Sequence, residues 1–167
     1  FFMPHLSAVL IVKNEALHLD ACLAAVQSVV DEIVVLDTGS EDDTVAIAKR
    51  YTDKVFDFEW CDDFAAARNA ALAHARGDWC LTLDADEVLQ FPESAREKLI
   101  EFMMKHTPLT LGTLEIESVF GEENQVALDH TRRFFHRESY QYCGAIPEQL
   151  EAREGPRAEA LPGLRVI

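Results

Sequence analysis

Apolar residues in this chain come in short runs separated by amphipathic stretches. Leu6-Ser7-Ala8-Val9-Leu10-Ile11-Val12 and Glu32-Ile33-Val34-Val35-Leu36 are nearly continuous. That pattern predicts strands buried on both faces of a parallel sheet. Between them, Cys22, Leu23, Val26 and Val30 recur at helical spacing from Leu19, with Asn14 placed to cap the helix. Asp37-Thr38-Gly39-Ser40 forms a turn after the second strand. Ser40 and Asp43 have the spacing of a capping box for a helix through Val45, Ile47, Ala48 and Tyr51. Lys54 to Glu59 alternates as a third strand, and Phe64 to His74 is an alanine-rich helix ended by Gly77. Trp79 to Leu83 is a fourth strand running straight into Asp84. A further helix is predicted over Ser94 to Lys105, opened by Pro92 and capped near Ser94. After Pro108, Thr113 to Phe120 and Thr131 to His136 read as strands around a Gly121-Glu122-Glu123-Asn124 turn. Leu164 to Ile167 reads as a strand just begun.

Strands alternating with helices predict right-handed βαβ units. The expected fold is α/β: a Rossmann-like, mostly parallel sheet flanked by helices, with a smaller mixed β region toward the C-terminus, in one domain over 1–167. Ligands of such sheets bind beyond the carboxyl ends of the strands. The polar signals lie there: Lys13-Asn14-Glu15 after the first strand, Asp37 after the second, and Asp84-Ala85-Asp86-Glu87 after the fourth.

Charge narrows the partners. With 30 acidic and 15 basic residues the formal charge is -15, and no basic stripe is present. Such a field opposes non-specific binding of nucleic acid. A small nucleotide can still bind if a cation, a helix N-terminus or a local arginine offsets its phosphates. Cys22, Cys61, Cys80 and Cys143 form no CxxC, and Cys22 and Cys80 read as buried thiols. A reduced, cytoplasmic setting follows, including the inner face of a membrane. Leu6 to Val12 is too short to span a bilayer, so no transmembrane segment is expected.

Each candidate has a bland reading beside the chemical one. Asp84 and Asp86, two apart in an extended segment, project to one side with Ala85 between them keeping the space open. They can hold Mg²⁺ or Mn²⁺ together with substrate phosphates, or be a solvated acidic turn. Asp37 can accept a hydrogen bond from a base or ribose, or close a capped turn. Arg68, followed by Asn69, suits a phosphate, or a salt bridge to one of many nearby acids. Trp60, Phe64 and Trp79 read as core or rim packing. Glu148 is a candidate general base or a surface acid. No histidine pair has metal-ligand spacing, and no P-loop, GxGxxG or Ser/His/Asp elbow is present.

Taken together, these residues resemble the family 2 glycosyltransferases. The resemblance rests on Val9 through Glu15 (VLIVKNE), Asp31 through Ser40 (DEIVVLDTGS), Asp43-Thr44, Phe64 with Ala67-Arg68-Asn69, and Gly77-Asp78-Trp79 through Leu83-Asp84-Ala85-Asp86-Glu87. It covers residues 6 to 90. It implies a GT-A fold and a nucleotide-diphospho-sugar donor, with Asp37 on the nucleoside, a uracil. Val12, Lys13, Asn14 and Glu15 would line the same pocket, and Arg68 would lie near the donor. Asp84 and Asp86 would form the metal motif for Mn²⁺ or Mg²⁺, with Ala85 between them. Transfer to an acceptor hydroxyl would invert the anomeric centre. Acceptors in such families range from lipid-linked glycans to peptides. Where similar sequences carry a His-Glu pair this one has Pro147-Glu148, so Glu148 stands for the base. Relatives continue past Leu164, which predicts that residues 91–167 are an acceptor-side half cut short. The competing reading is a non-catalytic nucleotide-binding domain of the same fold. A nucleotidyltransferase would want a Gly-rich, Arg-containing loop in place of Lys13-Asn14-Glu15. An aspartyl phosphatase would want its Asp-x-Asp after the first strand.

Overall fold

The computed structural model describes the backbone of residues 2–87, 89–120, 125–144, 149–152 and 157–166, and the side chains of 2–87, 90–115, 131–144 and 151. Five elements alternate as expected: β1 (Leu6–Val12), α1 (Leu19–Val26), β2 (Glu32–Asp37), α2 (Thr44–Lys49) and β3 (Val55–Asp57). Then come α3 (Phe64–His74), β4 (Trp79–Leu83), β5 (Leu89–Gln90) and α4 (Ala95–Lys105). The rest is β: β6 (Thr110–Phe120), β7 (Gln125–His136), β8 (Tyr140–Cys143), β9 (Gln149–Ala152) and β10 (Arg157–Val166).

Among the described residues the main sheet has eight strands in the order β3-β2-β1-β4-β7-β6-β10-β5, and β8 pairs with β9. β3, β2, β1 and β4 are parallel, and β7 runs antiparallel to β4 and to β6. The chain winds outward from β1 to β2 and β3, then returns to place β4 on the other side of β1. The carboxyl ends of β1 and β4 therefore flank a topological switch point, where open α/β sheets leave a crevice.

Alternation along the strands builds two apolar layers. Leu6, Ala8, Leu10 and Val12 of β1 join Trp79, Leu81 and Leu83 of β4 against α1 and α4. Val9, Val34, Leu36 and Cys80 face α3 on the other side, with Tyr140 and Tyr142 of β8. Period-two alternation thus survives inside runs that look uniformly apolar, because helices cover both faces.

Several local expectations are corrected. Asn14 does not cap α1, whose N-cap is His18 without a side-chain bond. Asn14 instead turns the chain at φ 52°. The capping box at Ser40 and Asp43 does not form. Ser40 N–H donates to Asp37 Oδ2 at 3.0 Å, and its Oγ accepts from Asn14 N at 2.8 Å, so neither atom is left for the helix. Ser94 sits at the start of α4 but makes no side-chain cap. Gly77 does not stop α3, which ends before Ala75. A Cβ at Gly77 would lie 2.4 Å from Ser7 Oγ and 2.7 Å from Ser7 N, so only glycine allows β1 to pass that close. β3 is shorter than its alternating pattern. β6, β7 and β10 begin earlier than their sequence signals, and the short β5, β8 and β9 were not expected at all.

Candidate active site

The loops after β1 and β2 are stitched to one another before any ligand is considered. Glu41 N–H donates to Asn14 Oδ1 at 2.8 Å and Glu15 N–H to Thr44 Oγ1 at 2.7 Å. Thr38 returns both its N–H and its hydroxyl to Val12 O. Asn14 is thus a latch between two strand ends. Its left-handed backbone conformation is one that asparagine tolerates better than most residues.

Above this latch lies a cleft of about 280 Å³ at the carboxyl ends of β1 and β4. Val12, Lys13, Glu15, Arg68, Asp84, Ala85 and Asp86, all candidates from the sequence, line it. Trp60 and Phe64 line it too, in edge-to-face contact at 4.8 Å, whereas Trp79 is buried in the core. Asn14 and Asp37 are not on its wall. Asp37 lies buried beside Val12 at the end of β2, one residue before Thr38, which is on the wall. Asp37 Oδ2 accepts from the N–H groups of Gly39 and Ser40. Its Oδ1 is buried and has no hydrogen-bond partner among the described residues. An orphaned buried acceptor is costly, and in a native fold it asks for a ligand or water to fill it.

The acidic run after β4 is a turn, not an extended segment. Glu87 N–H donates to Asp84 O at 3.2 Å and Asp84 N–H to Glu87 Oε2 at 3.0 Å. A turn and not a strand therefore carries Asp84 and Asp86, and both still line the cleft. Ala85 between them is buried, packed into the core at the cleft floor. Asp84 accepts from Arg68 Nη2 at 3.0 Å and from Arg133 Nη2 at 3.4 Å. Arg133 Nη1 reaches Glu87 Oε2 at 2.6 Å. Asp86 is exposed, and makes no hydrogen bond or ion pair among the described residues. Burial, then the charges of Asp86, Asp42 and Asp84, push the Glu15 carboxyl above its ordinary value, although His18 opposes them. A field of this sign favours a cation at the mouth.

Arg68 thus meets the salt-bridge reading and the site reading at once, since its acid is Asp84. Its guanidinium carbon also lies 5.4 Å from the centroid of the Tyr142 ring. Asn69 is not a ligand group: its amide exchanges two bonds of 2.8 Å with the backbone of Tyr142 and so clips β8 to α3. Glu148, the candidate base, lies outside the described residues. Arg133 was not anticipated. Its role depends on β7 pairing with β4, and the one local trace was a charged residue just before the apolar pair Phe134-Phe135.

Among the described residues no group of three or more His, Cys, Asp and Glu side chains is placed to hold a metal ion. Asp84 and Asp86 are hard oxygen ligands suited to Mg²⁺ or Mn²⁺, and a cation there would draw the rest of its shell from a bound phosphate. The Cys22 thiol donates to Asp84 O at 3.9 Å. Burial pushes both Cys22 and Cys80 up to about 12, with nearby carboxylates adding to the rise at Cys22.

The chain matches Glycosyl transferase family 2 over residues 7–149. A TPR repeat-containing protein of Synechococcus elongatus is 54% identical over 87 residues, covering 52% of this chain and 22% of that protein. The SPbeta prophage-derived glycosyltransferase SunS of Bacillus subtilis is 38% identical over 87 residues, covering 51% and 21%. Among solved structures, S. aureus TarS aligns with a TM-score of 0.58 at 22% identity, covering 70% of this chain and 37% of that one. Glucosyl-3-phosphoglycerate synthase from Mycobacterium tuberculosis aligns with a TM-score of 0.55 at 23% identity, covering 68% and 44%. The chain therefore spans less than half the length of each of these proteins. With its sheet order, its switch-point cleft and a family match over most of its length, this chain belongs to glycosyltransferase family 2 and has the GT-A fold.

Proposed function

We propose that the chain carries the donor site of an enzyme that transfers a sugar from a nucleotide-diphospho-sugar, a UDP-sugar, to an acceptor hydroxyl, with inversion and with a divalent cation. The observation that carries this reading is Asp37 Oδ1, a buried acceptor without a donor, beside the switch-point cleft. A base N–H entering along the β1–β2 edge would satisfy it. Two of the aligned structures support the choice of ligand: TarS was solved with UDP, and the mycobacterial synthase with Mn²⁺ and UDP-glucose.

In this reading Asp37 recognises the base and Arg68 holds the diphosphate oxygens. Asp84 and Asp86 hold Mg²⁺ or Mn²⁺. Asp86 is the open ligand, and any cation joining Asp84 shares that carboxylate with two guanidinium groups. When bound, the ion neutralises the diphosphate and stabilises the departing nucleoside diphosphate. Trp60 and Phe64 form an apolar wall that limits water at the sugar. Glu148 is the candidate to take the acceptor proton. The acceptor is a glycan, a lipid-linked glycan or a peptide. No described helix is long and apolar enough to cross a membrane.

The test is release of UDP from UDP-sugars and sugar transfer to added acceptors, with Mn²⁺ and with EDTA. Metal-dependent turnover lost in Asp86→Ala supports the reading. Binding of UDP without turnover of any UDP-sugar would instead favour a nucleotide-binding domain without catalysis.

A further inference from the structure

The side chains of the Asp84-Ala85-Asp86-Glu87 turn have sharply different fates. Ala85 is buried in the core. Asp84 takes two guanidinium groups, and Glu87 takes Arg133 together with the backbone N–H of Asp84. Only Asp86 is left exposed and unpaired among the described residues. Arg133 grips both ends of this turn.

Its placement comes from an irregularity in the sheet. Gly112 of β6 faces Phe134 of β7, but the next pair is Thr113 with Arg132. Arg133 is therefore the extra residue of a β-bulge. Bulges re-aim a side chain that a regular ladder would send elsewhere. Thr82 Oγ, 3.4 Å from Arg133 O, holds the bulge against β4. The Arg133 side chain is only 17% exposed, so its two ion pairs are shielded from solvent more than ordinary surface pairs. Arg133 is not on the cleft wall, whereas Arg68, Asp84 and Asp86 are.

We infer that Arg133 is a positioning residue of the donor site: bulged out of β7, it braces both ends of the acidic turn so that Asp86 is presented to the cation. This rests on the donor-site reading above. A guanidinium fork suits this brace, because Nη1 reaches Glu87 while Nη2 reaches Asp84, where a lysine would offer a single nitrogen to both. The brace also ties the C-terminal β region to the nucleotide-binding half.

The test is UDP binding by calorimetry, with Mn²⁺ and with EDTA, on the wild type, Arg133→Met, Arg133→Lys and Glu87→Gln. In the wild type, Mn²⁺ tightens UDP binding. Arg133→Met should lose about tenfold of that tightening, the scale of an outer-sphere defect at a metal site. Its affinity in EDTA should fall much less than its affinity with Mn²⁺, because Asp37 is bonded to Gly39 and Ser40 and Arg68 keeps its own bond to Asp84. Arg133→Lys should recover only part of the Mn²⁺ effect, and Glu87→Gln should lose part of it. If Arg133→Met does not fold, the last two variants decide, and wild-type tightening in both would overturn the inference. Wild-type tightening in Arg133→Met would also overturn it, as would an equal loss with and without Mn²⁺, which would mark general damage. A wild type whose UDP binding ignores Mn²⁺ would remove the donor-site reading itself, and this inference with it.

Discussion

Two ionic clusters stand at opposite edges of the same sheet, and they are built differently. At the amino edge, the Glu32 side chain is only 5% exposed and is bonded by Lys54 Nζ, Ser7 Oγ and Arg76 N. Ser7 Oγ in turn accepts from Gly77 N at 2.9 Å. Both Glu32 oxygens are engaged. At the carboxyl edge, Asp84 is 37% exposed, Asp86 is open and Asp37 Oδ1 is unpaired. The first cluster is closed on itself and holds the chain together; the second leaves Asp86 and Asp37 Oδ1 without partners among the described residues. Burial and charge alone would not separate them. Satisfaction of the hydrogen-bonding groups does.

The comparison can be broken most forcefully at the open edge. Asp86→Ala should lower metal-dependent transfer by about a hundredfold or more, the scale of losing one electrostatic stabiliser of the leaving group. Its melting temperature without ligand should match wild type, since Asp86 is exposed and makes no hydrogen bond or ion pair among the described residues. At the closed edge the result should reverse. Glu32→Gln should cost about 2 kcal/mol of stability, the scale of a charge-assisted hydrogen bond, because it leaves the partly exposed Lys54 facing an uncharged partner. UDP affinity of the folded fraction should not change; chemical denaturation and a UDP titration check the two halves of this claim.

Smaller effects sharpen the contrast. Asn69→Ala removes two bonds to the Tyr142 backbone and should cost about 2 kcal/mol by denaturation, at about 1 kcal/mol per bond. Asp37→Asn can still accept from Gly39 and Ser40 with its one oxygen, but it then presents an amide donor where Oδ1 stood. UDP affinity should fall about tenfold, with little change in stability. The smallest effect is acidic. Burial pushes Glu32 up, but the bonds from Lys54, Ser7 and Arg76 outweigh it and hold the carboxyl below its ordinary 4.5. Its contribution is present above that value and is lost as pH falls through the lowered one. Asp31, bonded by Leu6 N and Arg96, behaves alike. Stability should therefore decline below about pH 4.5, and the decline should be shallower in Glu32→Gln.

Much of this was legible in the sequence where the signal was local. β1, α3 and β4 have the limits that their apolar runs and alanine content predicted. Asp84 and Asp86 were recognisable because a buried strand ran straight into them. The geometry of that run was not legible. Whether residues 84–87 extend or turn depends on Ala85 finding the core and on Arg133 gripping Glu87, and both are long-range events. Arg133 itself is set by the register of β7 between β4 and β6, which no local pattern encodes. The failed caps at Asn14 and Ser40 have a similar cause: Asn14 bonds Ser40 Oγ and Glu41 N, and Ser40 N bonds Asp37, across two loops, where helix signals assume that each acts alone.

The most direct measurement is a crystal structure with UDP and Mn²⁺, using anomalous scattering to place the metal. The account predicts manganese on the Asp86 carboxylate, the uracil against Asp37 Oδ1, and Arg68 on the diphosphate. Manganese away from Asp86, or UDP bound outside the β1–β4 crevice with Asp37 Oδ1 still unfilled, would contradict it.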